Sequence, residues 1–144
     1  MINSVRTILA SFLLIAFAAS LAQAQPAPPI QAVRVHWVAS QQWPAREGIA
    51  TNSLSTYRDH GGSWIDVCTY EYGYGSPVSP ATLAGQSGVL VVSEPDINPY
   101  TRQIVGYYRL WRFTGSRLTG GQFSYSVRSI NAPRNVMGTW LYVL

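Results

Sequence analysis

The sequence predicts an all-β protein, an antiparallel β-sandwich of about 6–8 strands, with a small closed β-barrel as the alternative. Three observations carry this expectation. Val, Ile, Thr, Tyr and Trp gather in stretches that alternate with period two, Gly, Pro and Asn punctuate those stretches, and no long segment repeats its apolar residues at helical spacing.

The elements follow in chain order. Residues 1–24 read as an export signal: Arg6 supplies the positive end, Ile8 to Ala19 the apolar run, and Ala22-Gln23-Ala24 the small-residue cleavage site. The apolar run is about 12 residues, short of the roughly 20 a spanning helix needs. The expectation is a bacterial protein that is secreted or periplasmic after cleavage, with no membrane span left. Residues 25–30 read as an extended Pro-rich tether, and 31–144 as a single β-rich domain.

Ala32 to Val38 opens that domain, with Val33, Val35 and Trp37 on one side and Arg34 and His36 on the other. Residues 41–62 are polar and irregular, with room for a short helix within 45–57. Asp59-His60-Gly61-Gly62 is turn chemistry that launches the strand Trp64 to Tyr72. Gly88 to Glu94, with Val89-Leu90-Val91-Val92 apolar on both faces, reads as a central strand. Gln103 to Thr114 is the longest candidate, and Arg109 and Arg112 on it point to opposite faces. Gln122 to Ile130 alternates Phe123, Tyr125 and Val127 against Ser124, Ser126 and Arg128, and Val136 to Leu144 closes the chain.

Charge and cysteine content narrow the chemistry. The ten basic residues are all Arg, against six acids, for a net charge of +4. They are scattered, so no nucleic-acid surface is expected. The absence of Lys excludes Schiff-base and Walker-type chemistry. The one Cys, Cys68, excludes an internal disulfide and a Cys-rich metal site. Its place between Val67 and Thr69 predicts a buried, unreactive thiol.

Several side chains are candidates for function. His60, Asp59 and Glu71 are the residues a small hydrolase would use, a carboxylate pair beside an imidazole. Asp66 and Glu71 lie five apart on one strand and so face opposite ways. Glu94, Asp96 and Asn98 place oxygens at alternate positions, the candidate residues for a calcium site, but beside Pro95 and Pro99 they read first as an ordinary loop and no cofactor is expected. The aromatic load, nine Tyr and five Trp, points to a partner-facing surface, because these rings join a flat apolar face to a polar tip. The expected ligand-binding residues are Asp59, His60, Trp64, Tyr70, Tyr72 and Tyr74.

The runs Asp59-His60-Gly61-Gly62-Ser63-Trp64, Tyr72-Gly73-Tyr74-Gly75 and Ser93-Glu94-Pro95 resemble the YolA-like family of small exported bacterial proteins. The resemblance covers most of the domain and implies an exported, single β-rich domain. It brings no established activity and no catalytic residues. The expected function is an exported, non-enzymatic binding module whose partner is a glycan, a cell-envelope polymer or a protein surface. The alternatives are a small secreted hydrolase centred on His60 with Asp59 and Glu71, and a toxin-like or inhibitory factor.

Overall fold

The computed structural model describes residues 27–144, so the signal read over 1–24 and the first two tether positions lie outside the described residues. From Ala27 onward the tether is tied down. The Ala27 carbonyl accepts from Asn131, the Pro28 carbonyl from the Tyr74 N–H, and Ile30 sits in the core.

The described residues form an all-β sandwich with no helix, including none within 45–57. Six long strands match the six periodic stretches: β1 (Ala32–Ser40), β3 (Gly62–Tyr72), β7 (Val89–Ile97), β8 (Ile104–Leu118), β9 (Gly121–Ser129) and β10 (Val136–Val143). Four short ones fill between them: β2 (Glu47–Gly48), β4 (Gly75–Pro77), β5 (Thr82–Leu83) and β6 (Gln86–Ser87). One five-stranded antiparallel sheet has the order β2-β1-β3-β8-β7. The other runs β10-β9-β5-β6, with β4 also on β9. The sheets do not close into a barrel.

Period-two patterning builds the core. Ile65 and Val67 of β3, Trp111 and Phe113 of β8, and Phe123, Tyr125 and Val127 of β9 all point between the sheets. Phe113 and Phe123 meet edge-to-face across the gap, their centroids 6.1 Å apart.

The strand over Gly88–Glu94 is an edge, not central. Its only long partner is β8, and Val89 to Val92 are exposed. An apolar run suits a strand buried on both faces, but it marks an edge equally well when a neighbour is missing. Here Pro95, a bulge between Leu90 and Val92, and the acids Glu94 and Asp96 blunt that edge.

Gly73, at φ +105, turns the chain out of β3, and a Cβ there would run into the Pro29 carbonyl. Gly73→Ala is expected to cost about 1–3 kcal/mol from the strained backbone, read as a lower midpoint in urea melts.

Candidate functional site

The outer face of the five-stranded sheet carries the candidate site, and a β-bulge makes it. The register of β1 against β3 slips between Val35 and Trp37, so that Trp37 pairs with Cys68 and Val38 with Val67. The slip turns Trp37 away from the core side of Val33 and Val35 and brings it beside His36 on the outer face. This corrects the simple alternation read from the sequence: one extra residue reverses every side chain beyond it. Another bulge, between Leu90 and Val92, lies on the far edge of the same sheet.

Between the bulges lies a groove of about 290 Å³. β1 contributes His36 and Trp37, β3 contributes Cys68, and β8 contributes Tyr108 and Leu110. Val92 and Glu94 of β7 close one side, and Arg46, just before β2, closes the other. The Arg46 guanidinium lies 4.5 Å from the Trp37 ring centre, a cation–π contact. His36 meets Tyr108 at 5.3 Å between centroids, and Tyr108 meets Tyr70 at 4.8 Å. Burial, then Arg34 and Arg46, hold the His36 imidazole below its usual pKa, so it is neutral at pH 7.

Around the groove the polar groups are paired. The Tyr70 hydroxyl donates to Asp96 Oδ2 at 2.8 Å. Arg34 lies over the Tyr70 ring and donates to Thr51. Arg112 donates twice to Asp66 at 2.7 Å and lies beside Trp64. The opposite facing of Arg109 and Arg112, and of Asp66 and Glu71, is as the spacing predicts.

Cys68 forms the groove floor, only 5% exposed. Burial pushes its thiol up to about 11, Arg46 pulls it down and Glu94 pushes it up. At pH 7 about one thiol in 10⁴ is therefore ionised, and the thiolate is the reactive form. Native labelling by a thiol reagent is expected to be far slower than in urea and to speed up about tenfold per pH unit below the shifted value. Rapid native labelling at pH 7 contradicts this placement.

The sequence-predicted ligand residues fall in three places. Trp64, Tyr70 and Tyr72 lie on the outer face of β3, in line with the groove. Tyr74 lies in the loop after β3, half-buried and edge-on to Tyr107. Asp59 and His60 line a different cavity, of about 450 Å³, with Arg117, Leu118 and Leu144. No Trp, Tyr or Phe lines that cavity.

The three residues of the hydrolase reading keep separate partners. His60 is 1% exposed, with Nδ1 at 3.2 Å from Ser40 Oγ and Nε2 at 3.0 Å from Glu47 Oε2. Its N–H donates to the Leu144 carbonyl. Glu47 also accepts from the Tyr57 and Arg58 N–H groups, so this buried pair fastens the 47–60 segment to the domain. Glu71 lies between the sheets, fully buried, and accepts from Arg109 Nε at 2.7 Å and from the Tyr125 hydroxyl. Asp59 is exposed and joins neither cluster in a hydrogen bond.

Of the calcium candidates, Asp96 is held by Tyr70, and Asn98 Oδ1 accepts from the Tyr100 and Thr101 N–H groups as a turn cap. Glu94 lines the groove. Among the described residues, no three His, Cys, Asp or Glu side chains cluster as a metal site.

Sequence reasoning missed Trp37, Arg46 and Tyr108 as site residues. The bulge hid Trp37. The one signal available was Tyr107-Tyr108, adjacent rings that must face opposite ways, so that one of them leaves the core.

No curated protein and no solved structure matches the chain significantly. The family described as a domain of unknown function, DUF4879, matches residues 25–143, and the chain belongs to it.

Proposed function

We propose that this protein is an exported, non-enzymatic binding module that holds a cell-envelope glycan polymer in the groove on its outer sheet face. Its export is part of the proposal and follows from the signal over 1–24 and from the YolA-like resemblance. The observation that carries the reading is the groove itself, in which Trp37, His36 and Tyr108 present rings beside the apolar Leu110 and Val92. Ring faces stack on sugar C–H faces, while the polar tips and flanking charges orient the chain. Trp64, Tyr70 and Tyr72 extend the aromatic surface along β3, which suits a polymer longer than one sugar. The separate partners of His60 and Glu71, and the inert thiol, give a hydrolase less support than a binder.

Capture of the purified protein on isolated cell-envelope polymers, with affinity read by titration, tests this. Trp37→Ala is expected to weaken capture about 10- to 100-fold, the scale of a central aromatic anchor. Tyr100→Ala, with a ring 93% exposed at the β7–β8 turn, is expected to leave it unchanged. Equal losses in both variants, or none in Trp37→Ala, overturn the assignment of the groove.

A further inference from the structure

The groove is electrically two-ended. Arg46 flanks it from the β2 side of the sheet and Glu94 from β7 at the other edge, with β1, β3 and β8 between them. The ion pairs among the described residues are His60–Glu47, Arg109–Glu71 and Arg112–Asp66, so neither Arg46 nor Glu94 has an ionic partner. The other charges on this face are engaged: Asp66 by Arg112, Asp96 by the Tyr70 hydroxyl, and Arg34 by Thr51 and the Tyr70 ring. Arg46, which rests on the Trp37 ring, and Glu94 are thus the cation and anion without a charged partner, and both line the same cavity. Both also act on the Cys68 thiol at its floor, in opposite senses.

This arrangement limits the ligand. A group settling into the groove strips water from both charges, and an uncompensated charge in a drying site is costly. A neutral sugar offers hydroxyl hydrogen bonds to each charge but a counter-charge to neither. A purely anionic group leaves Glu94 unpaired, and a purely cationic one leaves Arg46 unpaired. A unit bearing an ammonium and an acid carries a counter-charge for each. The wall beside Glu94 suits it, because Tyr108, the residue opposite Glu94 across β7 and β8, offers an aromatic ring to an ammonium, while Trp37 carries the Arg46 guanidinium. The cavity is about 290 Å³, room for about ten water-sized groups at roughly 30 Å³ each.

We infer that the groove recognises a zwitterionic substituent of the envelope polymer, its acid paired with Arg46 and its ammonium held by Glu94 against the aromatic wall. This deepens the proposed function and rests on it. Ammonium-plus-acid chemistry has two sources, an amino-acid substituent joined through its side chain so that ammonium and carboxylate both stay free, and a phosphodiester-type substituent with a phosphate, and the probes below separate these two head groups.

The experiment is a calorimetric or NMR titration of the purified protein with alanine, phosphocholine, choline, glycerol phosphate and glucose. At least one zwitterion is expected to bind ten-fold or more tighter than choline, glycerol phosphate and glucose. Preference for alanine assigns the amino-acid source, and preference for phosphocholine the phosphate source. Arg46→Gln should erase the advantage over choline, and Glu94→Gln the advantage over glycerol phosphate. Both side chains are exposed, so the variants should fold, with urea melts as the check, because both charges themselves act on Cys68 labelling. Bound zwitterion should also slow that labelling. Equal binding of singly charged or neutral probes, or no binding of either zwitterion at millimolar concentration, overturns the inference. Envelope capture that depends on Trp37 but ignores both charge variants sinks the zwitterion and leaves the binding function standing. Capture indifferent to Trp37 removes the function reading itself.

Discussion

Arg109→Met is expected to destabilise the protein by about 3–5 kcal/mol, the cost of leaving a buried carboxylate without its cation. Glu71 is fully buried between the sheets, and Arg109 is 11% exposed at its side chain. Arg109 Nε donates to Glu71, while its other nitrogens donate to Ser93 Oγ and the Gly75 carbonyl, each at 3.0 Å. The substitution strips all three acceptors. The Tyr125 hydroxyl still reaches Glu71 Oε1, but Oε2 has no hydrogen-bond partner among the described residues. Converting both residues, Glu71→Met with Arg109→Met, is expected to recover most of the loss, because the desolvation cost then disappears with the charges. Breaking the Arg112–Asp66 pair with Arg112→Met should cost less than Arg109→Met, since Arg112 is 44% exposed and water reaches the pair, although the Asp66 side chain is only 8% exposed. Urea melts of the four proteins decide the matter. A loss below about 1 kcal/mol for Arg109→Met contradicts the buried network.

Phe123→Ala is expected to cost a similar amount, about 3–5 kcal/mol for an aromatic cut to Ala in a closed core. Phe123 has no exposed surface and meets Phe113 edge-to-face from the opposite sheet. Its loss therefore opens a cavity at the junction that holds the two sheets together. For a domain of this size the melting temperature should fall on the order of 10–20 °C. Phe113→Ala should do much the same, and the double variant should cost less than the two single losses added, because both open one cavity. A fall of only a few degrees for Phe123→Ala contradicts the packing described.

The strands were legible because their signal is local. Each of the six long strands alternates side chains with period two, and that pattern survives whatever the strand pairs with. Facing within one strand was legible for the same reason. The divergence of Arg109 from Arg112 and of Asp66 from Glu71 needs only the pleat. Pairing was not legible. Val89-Leu90-Val91-Val92 reads the same in a central strand as on an exposed edge, and only the neighbour on its far side distinguishes them. The candidate site hinged on that missing information. Trp37 faces outward because β1 slips by one residue against β3, and nothing in Val35-His36-Trp37 announces a bulge. Trp64, Tyr70 and Tyr72 could be put on one face because no bulge separates them. His60 could not be assigned its partner, because Glu47 reaches it from an irregular segment whose path is set by the sheet it packs against. The turn signals at Asp59 and Gly61-Gly62 drew attention to that end of the domain, while the aromatic groove opened on the face of the sheet.

The most direct test of the account is to map where the envelope ligand touches the protein, by following backbone and indole NMR signals through a titration with the polymer fraction that the protein captures. The account predicts that the largest shifts fall at His36, Trp37, Cys68 and Tyr108, with smaller ones along Trp64, Tyr70 and Tyr72. Shifts centred on Asp59, His60 and Arg117, or on the exposed Trp140 and Tyr142 of the other sheet, would contradict it.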